Sequence, residues 1–285
     1  MTDMERPELL RAEANKRLGQ HFLFDPDILR RTALAAGPVK GRHIIEVGPG
    51  PGGLTRAMLD EGAEKLVCIE MDERFADALS NWPEARDGRL SVERADATKI
   101  DWPELLDRHG LKPPVMIIAN LPYNVGTPLL VNWLTEASWA GEMALMFQKE
   151  VAQRICAKPG SNHYGRLAVL AQSVRRARIA FTLPPGAFKP PPKVASAVAV
   201  LTPLPDHEQF SDAESLQKVT AAAFGQRRKM LRASLKGIMP KEVTAEDLLN
   251  SISIDPQRRA ETLSQEEFRA LTQAWASLQQ SSSNC

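Results

Sequence analysis

The chain has 285 residues, 43% of them hydrophobic and 25% charged, with a formal net charge of +1. That length allows one large domain with or without a small appendage, and the composition is that of a chain able to bury a core, not of a disordered one. No run of eighteen apolar residues occurs and the charged N-terminus lacks an apolar signal region, so neither a transmembrane helix nor a secretory signal is expected, and the expected compartment is the cytoplasm.

In chain order, the stretch 24–36 reads as a helix, with Asp25 as N-cap and Pro26 at its first position. His43–Val47 is a short apolar strand, followed by a Gly/Pro loop and a helix starting near Leu54. Lys65–Glu70 is a second strand, Phe75–Trp82 a helix, Leu90–Asp96 a third strand and Val115–Ala119 a fourth. A helix over about 127–137 and a strand at Met143–Phe147 complete a strand–helix alternation, the pattern of a parallel doubly wound α/β sheet. The pattern changes near Ala177: Arg178–Leu183 and Ala195–Leu201 flank a Pro-rich loop and read as antiparallel additions at one end of the sheet. After a linker at 203–207 the chain reads as helices only, over about 213–224, 226–237, 245–252 and 264–278. The expected organisation is therefore a catalytic α/β domain over 1–203, a small helical domain over 208–278 and a disordered tail over 279–285. No internal repeat appears. Cys68, Cys156 and Cys285 are far apart and odd in number, with neither a disulfide framework nor metal-ligand spacing, and no metal is expected.

The loop after the first strand, Glu46-Val47-Gly48-Pro49-Gly50-Pro51-Gly52-Gly53-Leu54-Thr55, lets a ligand approach the backbone without a Cβ in the way. A dinucleotide-binding loop is the immediate rival. Its G-x-G-x-x-G spacing is absent, however, and Pro49 and Pro51 remove N–H donors that a pyrophosphate needs. S-adenosylmethionine carries no phosphate and tolerates that loss. Three acids end three consecutive strands around this loop, at the edge where open α/β sheets bind ligands. Glu70 could accept both ribose hydroxyls. Asp96 could accept the adenine amine, with the Ala97 N–H on the ring, and Glu46 lies near the expected position of the ligand's positive amino-acid group. Each acid alone could equally be a solvated strand end.

Asn120-Leu121-Pro122-Tyr123 follows the fourth strand. An amide oxygen and a fixed carbonyl, both accepting N–H bonds from an exocyclic amine, would push that nitrogen toward sp³ and free its lone pair, and a tyrosine offers a stacking face. Methyl transfer to the amine of a flat base needs this set; a Pro turn with a buried tyrosine is the plainer alternative. Elsewhere, 227–236 carries five positive charges and no acid, Arg175-Arg176-Ala177-Arg178 is a second basic cluster and Lys16-Arg17 a third. On a helix, Arg228, Arg232 and Lys236 would form one positive face, with Met230, Leu231 and Leu235 turned inward. A solvated amphipathic face is the alternative there.

Together Lys16–Leu23, Glu46–Thr55, Asn120–Tyr123, Phe188–Val198 and Phe224–Lys229 resemble the ribosomal RNA adenine N6,N6-dimethyltransferases of the KsgA type, in family order and over about 15–276. The resemblance implies a Rossmann-like S-adenosylmethionine-dependent methyltransferase sheet, mostly parallel with an antiparallel end strand, and a small all-α C-terminal domain. It implies cofactor contacts at His21, Leu23, Gly48, Glu70, Asp96 and Asn120, with Glu46, Gly50, Met71 and Ala97 beside them. His21 departs from the Asn of many members. Asn120, Leu121, Pro122, Tyr123 and Phe188 would form the catalytic set, the two rings sandwiching a flipped adenine, with no dedicated general base. Arg227, Arg228, Lys229, Arg232 and Lys236 would bind RNA. The implied reaction is dimethylation of two adjacent adenosines in a hairpin loop near the 3' end of small-subunit (16S) ribosomal RNA. The implied partner is the immature small ribosomal subunit, and nothing in the sequence demands more than a monomer. Two rivals remain: a methyltransferase with another target, large-subunit RNA as in the Erm type or DNA adenine, and a non-catalytic ribosome-assembly or transcription factor on the same fold.

Overall fold

A computed structural model describes residues 20–226 and 228–283. Lys16, Arg17, Leu18, Gly19, Arg227 and Cys285 lie outside the described residues. In chain order the elements are β1 (Phe22–Leu23), α1 (Pro26–Ala33), β2 (His43–Val47), α2 (Gly53–Asp60), β3 (Lys65–Glu70), α3 (Glu73–Ser80), α4 (Pro83–Arg86), β4 (Leu90–Arg94) and α5 (Trp102–His109). Then come β5 (Val115–Asn120), α6 (Gly126–Thr135), β6 (Ala140–Gln148), α7 (Lys149–Ile155), α8 (Arg166–Val174), β7 (Arg175–Leu183), β8 (Phe188–Lys189) and β9 (Ser196–Pro203). The last are α9 (Ala213–Gly225), α10 (Leu231–Ser234), α11 (Ala245–Ser251) and α12 (Gln265–Ser283).

The main sheet has the order β4-β3-β2-β5-β6-β9-β7. Strands β2 to β6 pair parallel, and β9 pairs antiparallel with β6, from Met143↔Leu201 to Gln148↔Ser196. The sheet's chain order reverses between β2 and β5, and the loops leaving those neighbouring strands open the crevice in which such sheets bind ligands. Those loops are the Gly/Pro loop and Asn120–Tyr123. The central strands carry near-continuous apolar runs, as strands buried on both faces do: Ile44, Ile45, Leu66, Val67, Met116 and Ile117 are wholly buried. Asp25 caps α1 as expected, its carboxylate accepting from the backbone N–H of Asp27 and Ile28.

The chain forms two compact units: one from residues up to 152 with 178–202, the other from 153–177 with residues from 203 on. The helical unit thus gains α8 and the last three residues of α7, where the sequence reading places a single boundary near 203. Within it, Phe224 stacks on Phe268 at 5.6 Å and Tyr164 meets Phe224 edge-on, with Leu216, Val219, Leu271 and Trp275 buried around them. The helix expected over 226–237 is replaced by a turn at 228–229, the four-residue α10 and a short 3-10 turn at Lys236–Ile238. The cause is tertiary. The N–H groups of Leu231 and Arg232, at the start of α10, donate to the carbonyls of Arg258 and Pro256 in the loop after α11, and Met230 is extended. At the other end, α12 continues to Ser283 where a tail from 279 was expected. Among the described residues no helix is long and apolar enough to cross a membrane.

Candidate active site

The Gly/Pro loop turns back on itself at the end of β2. Gly48 and Gly50 sit at φ +71° and +53°; a Cβ on Gly50 would stand 2.9 Å from the Phe22 ring. Its N–H groups are spent internally. Gly48 donates to the Ile69 carbonyl, Gly50 to Glu70 Oε2 at 2.9 Å and Gly52 to the Pro49 carbonyl, while Pro49 and Pro51 have none. From 48 to 52 the loop therefore offers no cradle of N–H groups to a phosphate, as the two prolines foretell. A sulfonium ligand without phosphate fits this wall; a pyrophosphate does not.

Glu70 ends β3 nearly buried, its two oxygens accepting from Gly50 N and from Asp72 N at 2.8 Å. Burial raises its pKa against those two bonds. Asp96 lies two residues past the end of β4 and caps the short turn Ala97–Lys99, and the Thr98 hydroxyl and N–H lower its pKa by bonding Oδ1. Met71, beside Glu70, is 48% exposed although it lines the pocket, an apolar surface laid open next to an acid. Gln20, His21, Leu23, Gly48, Gly50, Ala97, Asn120, Leu121, Pro122 and Tyr123 line the same pocket.

Two expected site residues behave differently. Glu46 lines the pocket, but its carboxyl accepts from Thr55 Oγ1 at 2.6 Å and Cys68 Sγ at 3.4 Å. Burial pushes its pKa up to about 8, so near neutrality it is mostly protonated and is a poor counter-charge for an ammonium. Phe188 is 2% exposed in the core with Leu23 and Val198, and does not line the pocket. The β1–β8 pair explains this: Phe188 lies opposite Leu23 and both face inward, while the alternate residue Lys189 is exposed.

The Asn120 loop is held from two sides. Asn120 Nδ2 donates to the His21 carbonyl at 3.0 Å, which fixes the amide and presents Oδ1 as its acceptor. His21 Nδ1 bonds the Pro190 carbonyl at 2.8 Å, and its ring lies 5.5 Å from that of Tyr123. The Tyr123 hydroxyl bonds Ser196 Oγ at 2.8 Å. Ser196 was not singled out from the sequence as a site residue, though it lies within the stretch Phe188–Val198 that carries the resemblance. Of the basic set, Arg228, Lys229 and Lys236 are exposed, while Arg232 pairs with Glu246 at 3.0 Å.

A family model described as ribosomal RNA adenine dimethylase matches residues 11–276. The chain belongs to that family. The ribosomal RNA small subunit methyltransferase A of Ruegeria sp. (strain TM1040) is 53% identical over 264 residues, covering 92% of this chain and 91% of its own. That of Paracoccus denitrificans is 52% identical over 266 residues, covering 92% of each. Among solved structures, a dimethyladenosine transferase from Plasmodium falciparum superposes with TM-score 0.77 at 24% identity, over 91% of this chain and 98% of its own. The 23S rRNA methyltransferase ErmE superposes with TM-score 0.65 at 22% identity, over 90% and 99%. Both show the fold that this dimethylase shares.

Proposed function

We propose that the chain transfers methyl groups from S-adenosylmethionine to the N6 amines of two adjacent adenosines in small-subunit ribosomal RNA, in a hairpin loop near its 3' end, during maturation of the subunit in the cytoplasm. The observation that carries this reading is the tethered Asn120 amide at the switch point of the sheet, its nitrogen engaged by His21 and its oxygen left as acceptor.

Bound in the pocket, S-adenosylmethionine would supply an electrophilic methyl on a sulfonium. Glu70 would take the ribose hydroxyls, Asp96 and the Ala97 N–H the adenine, and Met71 would cover its face. Gly48 and Gly50 would let the ligand approach the loop. The rest is the work of the chain's own groups on the target. Asn120 Oδ1 accepts one N6–H. The Pro122 carbonyl is taken by the N–H groups of Val125 and Gly126, so the second acceptor is the carbonyl of Leu121. Two acceptors draw the amine out of conjugation and aim its lone pair, a gain from positioning and polarisation that requires no general base. The Tyr123 ring stacks on the flipped adenine and offsets the few kcal/mol, in order of magnitude, that unstacking costs. Arg228 and Lys229, exposed on the turn before α10, bind the RNA backbone.

The test is transfer of labelled methyl from S-adenosylmethionine to immature small ribosomal subunits, with product nucleosides identified by mass spectrometry. Dimethyladenosine in the small-subunit RNA is the expected product, and Asn120→Ala should abolish it while subunit binding persists. Dimethyladenosine confined to large-subunit RNA would move the target. Tight binding without transfer would overturn the enzyme reading.

A further inference from the structure

We propose that Ser196 is a positioning residue for the reaction: its hydroxyl fixes the plane of the Tyr123 ring against which the target adenine stacks. The inference rests on the methyltransferase reading above and adds to it a residue on a different strand.

The anomaly is Ser196 itself. From Ser196 to Leu201 strand β9 is buried, at 2% exposure or less, and the other five residues are Ala, Val and Leu. Alanine would fit the alternation as well and would bring no polar atom into the core. A buried hydroxyl needs a partner. Among the described residues its partner is the Tyr123 hydroxyl, 2.8 Å away.

Both ends of that bond are informative. Ser196 sits on backbone anchored in the sheet: it pairs with Gln148 at the end of β6, and the preceding Ala195 carbonyl accepts from Lys149 N at 2.8 Å. Tyr123, by contrast, sits on a loop and is only half-buried. Its ring would be free to tilt without a second attachment, since a phenol turns about two side-chain torsions. The bond transfers the rigidity of the sheet to the ring. The His21 ring, held to the Pro190 carbonyl, supplies a second support at 5.5 Å. The same bond assigns the phenol's role. Tyr123 directs its hydroxyl at β9, and burial keeps the phenol's pKa high. The hydroxyl is a tether and not a proton acceptor for the amine.

Dimethylation makes this tether matter twice. The same nitrogen must reach the same line of attack a second time, now carrying a methyl group, so a tilted ring handicaps the second transfer more than the first.

The experiment compares wild type, Ser196→Ala, Tyr123→Phe and the double variant on immature small ribosomal subunits. It reads kcat, the KM for S-adenosylmethionine, and the ratio of monomethyl- to dimethyladenosine. Each single variant removes the same bond from one side, so each should lower kcat about 2- to 10-fold, the range of one net hydrogen bond. Each should also raise the monomethyl fraction and leave the cofactor KM unchanged. The double variant should be no worse than either single one, since the two changes delete one interaction. A Ser196→Ala protein with a lower melting temperature but wild-type kcat and product ratio would show a structural role only and overturn the proposal, as would additive losses in the double variant. If Ser196→Ala does not fold, Tyr123→Phe alone decides: wild-type kcat and product ratio there overturn the tether. Absence of dimethyladenosine from the wild type would instead sink the methyltransferase reading, so the two failures are distinguishable.

Discussion

Glu46 shows how a residue at a ligand edge can be spent on the fold. Its ordinary carboxylic value is 4.5, and in the folded protein it holds its proton to about 8 because it is buried. Between those values the unfolded chain ionises there while the folded one does not, so the folded state binds the extra proton. Linkage then makes stability fall as pH rises through that window; below it both states are protonated, and above it both are ionised. Glu46→Gln keeps an oxygen for Thr55 and Cys68 and removes the titration, so it should flatten this fall. Urea midpoints at pH 5 and pH 8 measure it: the wild type should lose more between the two than the variant. Glu70, also raised by burial, moves the same way in both proteins and contributes to the slope that remains. An unchanged slope in the variant would assign the pH dependence elsewhere. Residues of this kind divide by what a sequence can carry. That Glu70, Asp96 and Asn120 gather at one edge of the sheet was legible because Glu70 and Asn120 end strands and Asp96 lies just past one. The engagement of Glu46 by Thr55 and Cys68, the His21 carbonyl on Asn120 and the Ser196 tether were not. They join positions 9, 22, 99 and 73 residues apart, and only the folded chain brings them together.

Local periodicity decides some elements of this chain, and distant partners decide others. β2 and β3 fall on the expected residues, and α1 begins at the expected cap, because apolar runs and capping residues act locally. The segment 226–237 has good helix formers, yet its N–H groups at 231 and 232 serve carbonyls from 256 and 258, a tertiary demand that propensity does not contain. Phe188, which the resemblance places in the base pocket, lies opposite Leu23 with its ring among core side chains. The Gly/Pro loop belongs with the locally decided elements, and it makes a prediction. Gly50→Ala puts a side chain at φ +53° with its Cβ 2.9 Å from Phe22. A left-handed non-glycine residue costs about 1–2 kcal/mol before any clash. The variant should melt lower by a comparable amount and bind S-adenosylmethionine more weakly, because Gly50 N also holds Glu70 in place. Calorimetric melting and a cofactor titration check the two effects. Wild-type affinity in a destabilised variant would separate the loop's turn from its ligand role.

At the scale of the whole molecule a net charge of +1 gives no general attraction for RNA, so an electrostatic grip must come from local concentration. The helical unit holds one: Arg228 and Lys229 stand exposed on the turn before α10, and Lys236 follows on the next turn. Arg232, the expected centre of a basic helical face, is paired with Glu246 and so contributes less. The loss of that face changes what mutation should do. Each phosphate contact adds about 0.7–0.9 to the slope of log affinity against log salt. Replacing Arg228 and Lys229 together by Ala should therefore reduce the slope by about 1.4–1.8 for binding to immature small subunits. Replacing Arg232 alone should change it little. Filter binding at several salt concentrations separates these cases. Methylation of a saturating substrate should survive the double change, since neither residue lines the pocket. Equal losses of slope from Arg232 and from the 228–229 pair would restore a helical face as the RNA grip. No loss from either would move the grip to another surface.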